Sequence, residues 1–458
     1  MKKEFSKEKK IFFFLCLYHL ILWTLVCSIS NKNLPLDVIE ALAWGRDFEW
    51  GYIKHPPLSA WIPGLLFKLF GNIDWIYYFL SQLFIAISLI FVWNIAAFIF
   101  KKDIFKLISV LSLETIVFYN FETPQFNVNI CQLPLWSGSI YFFFRCLLKN
   151  KIVDWLFLGV FCALGFLTKY IFVYLIISFI IIFLIISIRE KKINNYSFLS
   201  LSIFLLIIYA HLQWLISNDF VTLTYAAKRG GLTNYSPINH LINPLIFISK
   251  QLVILSPFFL SFFIIFKKKS IKLDLYNKKF FLLIILTLSP VILILFTSVI
   301  SGSVIRTVWM IPFYTTLGIF FTYVLFKGIN ITKLKFFKMI IIFFLILSPV
   351  AYSIRSINFD SRTGYEGEKI SKTVLEEWKK YTSNSIENVG FSEWYAGNLS
   401  YHLNSRPKVF LKETEDFYKS NSVIIDKNPI EYCKKNINNK KIVYLKMHEH
   451  NVCFIFKT

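Results

Sequence analysis

Residues 50–61 read "WGYIKHPPLSAW", a Lys-His pair directly before two prolines, ringed by aromatics. Long apolar runs flank the stretch on both sides, and they extend through most of the 458 residues, 56% of which are hydrophobic and 19% aromatic. A soluble core alternates short apolar and polar segments, whereas blocks of about 17 to 25 apolar residues suit helices that cross a hydrocarbon layer. The motif therefore reads as a loop of a polytopic membrane protein.

The runs predict an all-α bundle of about eleven transmembrane helices, thirteen at most. The first, 11–30, follows the Lys-rich start "MKKEFSKEKK"; it is long for a signal peptide and no small-residue cleavage site follows, so it is read as an uncleaved span. The others are expected at 74–100, 104–120, 126–146, 152–168, 169–188, 196–217, 246–266, 279–300, 304–326 and 336–354. Basic residues crowd the N-terminal tail and alternate loops, such as Lys101–Lys102, Lys191–Lys192 and Lys267 to Lys269, and are sparse in the loops between. Cytoplasmic loops carry that excess. The N-terminus is thus expected in the cytoplasm, the opening motif outside, and the C-terminal segment in the periplasm of a bacterial inner membrane. The net charge of +23 is spread over loop edges instead of one face, which favours lipid headgroups over nucleic acid.

From about residue 355 the composition becomes that of a soluble α/β domain. Helices are predicted at 367–381, 394–403 and 429–436, and strands at 389–391, 408–411, 423–426, 442–447 and 452–456. The domain division is 1–354 for the membrane bundle and 355–458 for the exported domain. Cys433 and Cys453 are the two cysteines of that domain and are expected to pair in an oxidising compartment. Cys16, Cys27, Cys131, Cys146 and Cys162 fall in or beside spans and are read as buried thiols.

The first outward loop, 31–73, is the richest in chemical groups. Asp37 with Glu40 three residues on has the spacing of a capping box, so Asp37 is read equally as a helix cap and as a functional carboxylate. Leu58, Trp61, Ile62, Leu65, Leu66 and Leu69 recur at helical spacing and predict a helix along the membrane surface, stopped at Gly71 and interrupted by Pro63. Between two such helices, Lys54 and His55 would stand at headgroup height. The plain alternative is that Lys54 snorkels and His55 is an ordinary interfacial residue.

The stretch "LDVIEALAWGRDFEWGYIKHPPLSAWIPGLLFKLFG" (36–71) resembles the first outward loop of the GT-C integral-membrane glycosyltransferases of the protein-mannosyltransferase and lipid A aminoarabinose-transferase type. It shares an acidic residue at the loop start, Gly-Tyr, a basic-Pro-Pro-Leu and a following amphipathic helix. "FNVNICQLPLWSGSIYFFFRCLL", "GFLTKYIFVYL" and "RTVWMIPFY" resemble later segments of the family. The resemblance implies sugar transfer from a polyprenyl-phosphate donor to lipid A, a related glycolipid or a protein. It implies a carboxylate base at Asp37 with Glu40 in reserve. Positive charge for the leaving phosphate would come from Lys54, His55, Lys169 and Arg306.

Glu114 is the clearest ionisable residue inside a predicted span; it is read equally as lining the donor groove and as bonding a neighbouring helix. Asn127 and Asn129 are candidates for sugar hydroxyls. Lys228 and Arg229, in the long loop "NDFVTLTYAAKRGGLTNYSPINH", are candidates for an anionic acceptor, with that loop read as a lid. Relatives of the aminoarabinose type tend to have Glu-Lys before the prolines, whereas Lys54-His55 stands here. No cofactor is therefore assigned, and a divalent ion between His55 and Asp37 stays open as an alternative. The rival classes are a lipid-linked sugar flippase or transporter, and an assembly protein.

Overall fold

The computed structural model describes residues 6–231, 236–266, 274, 276–358, 361–426, 442–447 and 450–456. The chain forms two compact units. One comprises residues 1–26, 50–58 and 78–352; the other comprises 27–49, 59–77 and 353–458.

The first unit is helical. Among the described residues, seven helices are long and apolar enough to cross a membrane: Lys7–Ser30, Asp74–Ile99, Tyr170–Glu190, Tyr196–Ser217, Asn239–Ile265, Lys278–Ser301 and Leu334–Asn358. An eighth is added if Thr307–Tyr314 and Leu317–Val324, bent by 59° at their junction, count as one span. The eleven expected spans are therefore not reproduced as eleven long helices, and local chemistry accounts for the difference. At 104–120 a nine-residue helix, Asp103–Leu111, gives way to the 3-10 turns Ser112–Thr115 and Val117–Tyr119. There Ser109, Ser112 and Thr115 donate to carbonyls three or four residues back, which competes with regular helix. At 304–326, Pro312 opens a 3-10 turn ahead of the bend. Ile152–Phe166 is an apolar helix of only 15 residues, and Val128–Lys149 has the length but buries Asn129, Gln132, Ser137 and Ser139.

Packing within this unit is close where small residues face backbone. A Cβ on Gly318 would stand 2.0 Å from the Ser109 carbonyl, so Leu317–Val324 and Asp103–Leu111 meet without intervening side chains. Ile152–Phe166 packs between Val128–Lys149 and Tyr196–Ser217, and Gly159 lets it approach the Ser200 carbonyl.

The second unit is built on a five-stranded sheet: β1 Asn388–Gly390, β2 Lys408–Phe410, β3 Ser422–Asp426, β4 Ile442–Met447 and β5 His450–Ile455, in the order β2-β1-β3-β5-β4. β1 runs parallel to β2 and β3, and β5 runs antiparallel to β3 and β4. Helices Gly367–Lys379 and Tyr395–His402 bury Val374, Trp378 and Leu399 with Val389, Val423 and Phe454 of the sheet. Each predicted element of the domain in the described residues is present within a few residues of its expected bounds; the 429–436 helix lies outside them. Cys453 is disulfide-bonded, and Cys433, its expected partner, also lies outside the described residues.

Two segments of the first loop belong to this unit. Leu36–Trp44 and Leu58–Phe70 are helices, and a Cβ on Gly45 would lie 2.2 Å from the Ala60 carbonyl, so the two cross backbone to backbone. Residues 353–458 form the third segment of the sheet unit, which the two loop helices join.

Candidate active site

The "WGYIKHPPL" segment belongs to the helical unit, and neighbouring elements fasten its backbone at three points, with a fourth bond inside the segment. The Trp50 carbonyl accepts from His211 Nδ1 at 2.6 Å, and the Tyr52 carbonyl accepts from the Thr222 hydroxyl at 2.7 Å. The Tyr52 N–H donates to the His55 carbonyl at 3.0 Å, closing a turn around Lys54, and the Leu58 N–H donates to the Leu167 carbonyl at 3.0 Å. Gly51 lies against the Trp214 ring, where a Cβ would stand 2.2 Å from the nearest ring carbon. Because a carbonyl only accepts, His211 Nδ1 carries a proton, and a neutral His211 takes its second bond from the Tyr170 hydroxyl at 2.8 Å.

Lys54 points its ammonium at the Tyr225 ring, 5.9 Å from the centroid. Lys169 is positioned from two sides. Its Nζ donates to Asn129 Oδ1 at 2.8 Å and stands 5.0 Å above Trp309. Its carbonyl accepts from Gln132 Nε2 at 3.0 Å. Asn127 caps Val128–Lys149 through Oδ1, accepting from the Asn129 and Ile130 N–H groups. The two asparagines expected at sugar hydroxyls thus hold the helix start and the Lys169 ammonium.

His55 is half-buried and is the electrostatic centre of the group. Burial, then Lys169, Lys54 and Arg229, push its imidazole down to about 3, so it is neutral at physiological pH. Arg306 is drawn below its ordinary value by partial desolvation and by Arg229, with Tyr225 acting in the opposite sense. A backbone bond sets that spacing: the Val304 N–H donates to the Gly230 carbonyl at 2.9 Å, joining the Arg306 loop to the end of helix Val221–Arg229. Gly302, at φ +66°, makes the turn that starts this loop. Three cations, Lys54, Lys169 and Arg229, therefore act on one neutral imidazole, a fourth, Arg306, lies within range of Arg229, and Tyr225 and Trp309 stand beneath the two lysines. Such a group suits a phosphate: cations for its charge and aromatic faces for an attached ring or chain.

Other expected residues fall elsewhere. Lys228 is exposed beside Arg229. Part of the long loop expected as a lid is helix Val221–Arg229. Asp37 and Glu40 lie in the sheet unit. Pro35, not Asp37, is the N-cap of Leu36–Trp44; Asp37 sits half-buried in the first turn, where the helix dipole favours a carboxylate, and Glu40 is buried. Glu114 is fully buried and bonds His19 Nε2 at 3.2 Å. Among the described residues, no group of three or more His, Cys, Asp or Glu side chains gathers as a metal site. Sequence reasoning missed His19 and His211, each a lone histidine in an apolar run, although an ionisable residue at such a place is itself a signal.

Residues 54–214 match the family model for dolichyl-phosphate-mannose-protein mannosyltransferase. No curated protein matches the sequence. Among solved structures, ArnT from Cupriavidus metallidurans bound to undecaprenyl phosphate superposes with a TM-score of 0.63 at 11% identity, covering 98% of each chain. The apo form of ArnT gives 0.61 at 11% identity over 97% of each chain. The oligosaccharyltransferase AglB from Archaeoglobus fulgidus, in complex with an inhibitory peptide and a dolichol-phosphate, gives 0.45 at 10% identity, covering 91% of this chain and 66% of that one. The fold is that of ArnT over nearly the whole chain. The family match begins at Lys54 and takes in Lys169.

Proposed function

We propose that this protein is a glycosyltransferase of the GT-C class that transfers a sugar from a polyprenyl-phosphate donor to an envelope acceptor, with lipid A or a related glycolipid as the leading acceptor. The observation that carries the donor assignment is the convergence of Lys54, Lys169 and Arg229 on neutral His55, with Arg306 in range of Arg229. The undecaprenyl phosphate bound to ArnT supports the same class of donor. In the proposed reaction an acceptor oxygen attacks the anomeric carbon and the bond from that carbon to the phosphate oxygen breaks. The electron pair leaves with the lipid phosphate, whose growing charge the four cations stabilise; His55 donates to it as a neutral imidazole. Asp37, with Glu40 in reserve, takes the proton of an attacking hydroxyl. Lys228 reaches an anionic group of the acceptor.

The family match favours a second reading, transfer to a protein hydroxyl, since its description is that of a protein mannosyltransferase. The same match weighs against a flippase. The charge asymmetry of the loops supports an inner-membrane protein with a cytoplasmic N-terminus and the sheet unit in the periplasm. Mass spectrometry of lipid A and of exported proteins, comparing a deletion strain with its parent, tests the proposal. A glycan lost from one of the two pools names the acceptor, and no change in either sinks the reading. Complementation with Asp37→Asn or Lys54→Ala is expected to leave the glycan missing at normal protein levels.

A further inference from the structure

The first span, Lys7–Ser30, is not regular: residues His19–Trp23 form a π turn, a wider turn that recurs at functional positions in helices. At its start His19 is fully buried, with both ring nitrogens engaged. Nδ1 faces Gln82 Oε1 at 3.1 Å, and Nε2 faces the two Glu114 carboxyl oxygens at 3.2 and 3.3 Å. Gln82 Nε2 donates to Thr123 Oγ1 at 3.1 Å, and the Thr123 hydroxyl lies 2.6 Å from the Asn120 carbonyl. Asn120 Nδ2 in turn donates to the Glu114 carbonyl.

The direction of every bond in this chain follows from one end. The Asn120 carbonyl only accepts, so the Thr123 hydroxyl spends its single proton there and must accept from Gln82. That fixes the Gln82 amide with its oxygen toward His19, so Nδ1 carries a proton. One proton then remains for the contact between Nε2 and Glu114, held by the ring or by the carboxyl. An empty contact would set a lone pair against a carboxylate in the buried interior, and two protons would set donor against donor.

We propose that His19, Gln82 and Glu114 are positioning residues that form a one-proton lock. The lock fastens residues 112–127, a segment of short 3-10 turns with little helix of its own, between the first span and Asp74–Ile99. That segment ends at Asn127, whose cap starts Val128–Lys149, and two residues later Asn129 holds the Lys169 ammonium. The lock thereby sets where Lys169 stands. Only this last step rests on the donor reading above.

The test uses the full chain in nanodiscs. Hydrogen–deuterium exchange is read over residues 112–129, together with thermal stability and binding of undecaprenyl phosphate. Glu114→Leu is expected to speed exchange over 112–129 by about tenfold and to lower stability. Glu114→Gln supplies one amide proton to Nε2 and is expected to exchange as the natural protein does. The double variant His19→Leu/Glu114→Leu removes both buried polar partners, so stability is expected to return while exchange stays fast and undecaprenyl phosphate binds about tenfold more weakly. Natural exchange in the double variant would reduce the pair to core filling and overturn the proposal. Exchange in Glu114→Gln as fast as in Glu114→Leu would overturn the one-proton assignment. Fast exchange with natural lipid-phosphate binding would overturn the link to Lys169. If the natural protein does not bind undecaprenyl phosphate, the donor reading fails, and the exchange results still decide the lock.

Discussion

On the surface of the sheet unit, cations pair with carboxylates at short range: Lys369 with Glu366, Lys372 with Glu368, Lys380 with Glu377, Lys419 with Asp416, and Arg46 and Lys408 with Asp47. In the helical unit, Lys54, Lys169 and Arg229 act together on one imidazole, Arg306 lies in range of Arg229, and the neighbours described for the two lysines include an amide oxygen and two aromatic rings. The paired surface is electrostatically closed and lies in water, where such pairs contribute little. Burial lowers His55 and Arg306 first, and neighbouring cations act on both in the same sense, an effect that an anion placed among them would offset. Grouping of charge, more than its amount, separates a solvated surface from a binding site.

The largest expected effect comes from removing a cation from the cluster. Lys169→Met should lower the rate of sugar transfer by about 10²- to 10³-fold, the range for losing one group that stabilises developing negative charge, with protein levels unchanged. A rate within threefold of the natural one would take Lys169 out of the site. Gly51→Ala sharpens the comparison through shape, because its new Cβ would meet the Trp214 ring. Overpacking of this kind costs about 1 to 3 kcal/mol, so a lowered melting temperature and reduced transfer are expected, and Trp214→Leu in the same chain should restore part of both. An undisturbed Gly51→Ala protein would show that the loop is not held against Trp214.

His55 gives a smaller effect, visible in pH. Its folded value of about 3 lies below its ordinary 6.5, so the neutral ring favours the folded state fully above pH 6.5. That contribution is lost as pH falls from 6.5 toward 3. The natural protein should therefore lose more thermal stability on acidification through this window than His55→Gln does; parallel curves would mean that burial and the cations do not lower His55. Smallest of all, Lys372→Ala removes one partner of an exposed pair in the sheet unit. Neither melting temperature nor transfer should change beyond error, and a marked loss would break the contrast between the two surfaces.

The two units differ also in how far the sequence foretold them. In the sheet unit, β-branched and apolar runs such as "SVIID" and "IVYLKM" are flanked in sequence by polar residues, and Gly367–Lys379 has one apolar stripe, so local pattern and final structure agree. In the helical unit nearly every position is apolar, and periodicity no longer separates a straight span from a broken one. Ser109, Ser112, Thr115 and Pro312, which break the expected spans at 104–120 and 304–326, are single residues within those runs. The site was legible where prolines and aromatics isolate charge, at Lys54 and His55, and at Lys169 and Arg306 near helix ends. Arg229, expected at the acceptor, stands in range of His55, which depends on a helix and a backbone bond that no local pattern encodes. Asp37 was expected equally as a cap, and Pro35 takes that place because its extended backbone suffices without a side-chain bond.

The bond from the Val304 N–H to the Gly230 carbonyl uses no side-chain atom. Side chains at Lys228, Arg229, Val304 and Arg306 are therefore free to change through mutation while the distance between the two loops stays the same, and only a proline at 304 deletes the donor. Relatives of this protein have a route to new acceptors or donors that leaves the frame intact: the charges at the rim drift, and the main chain keeps their spacing.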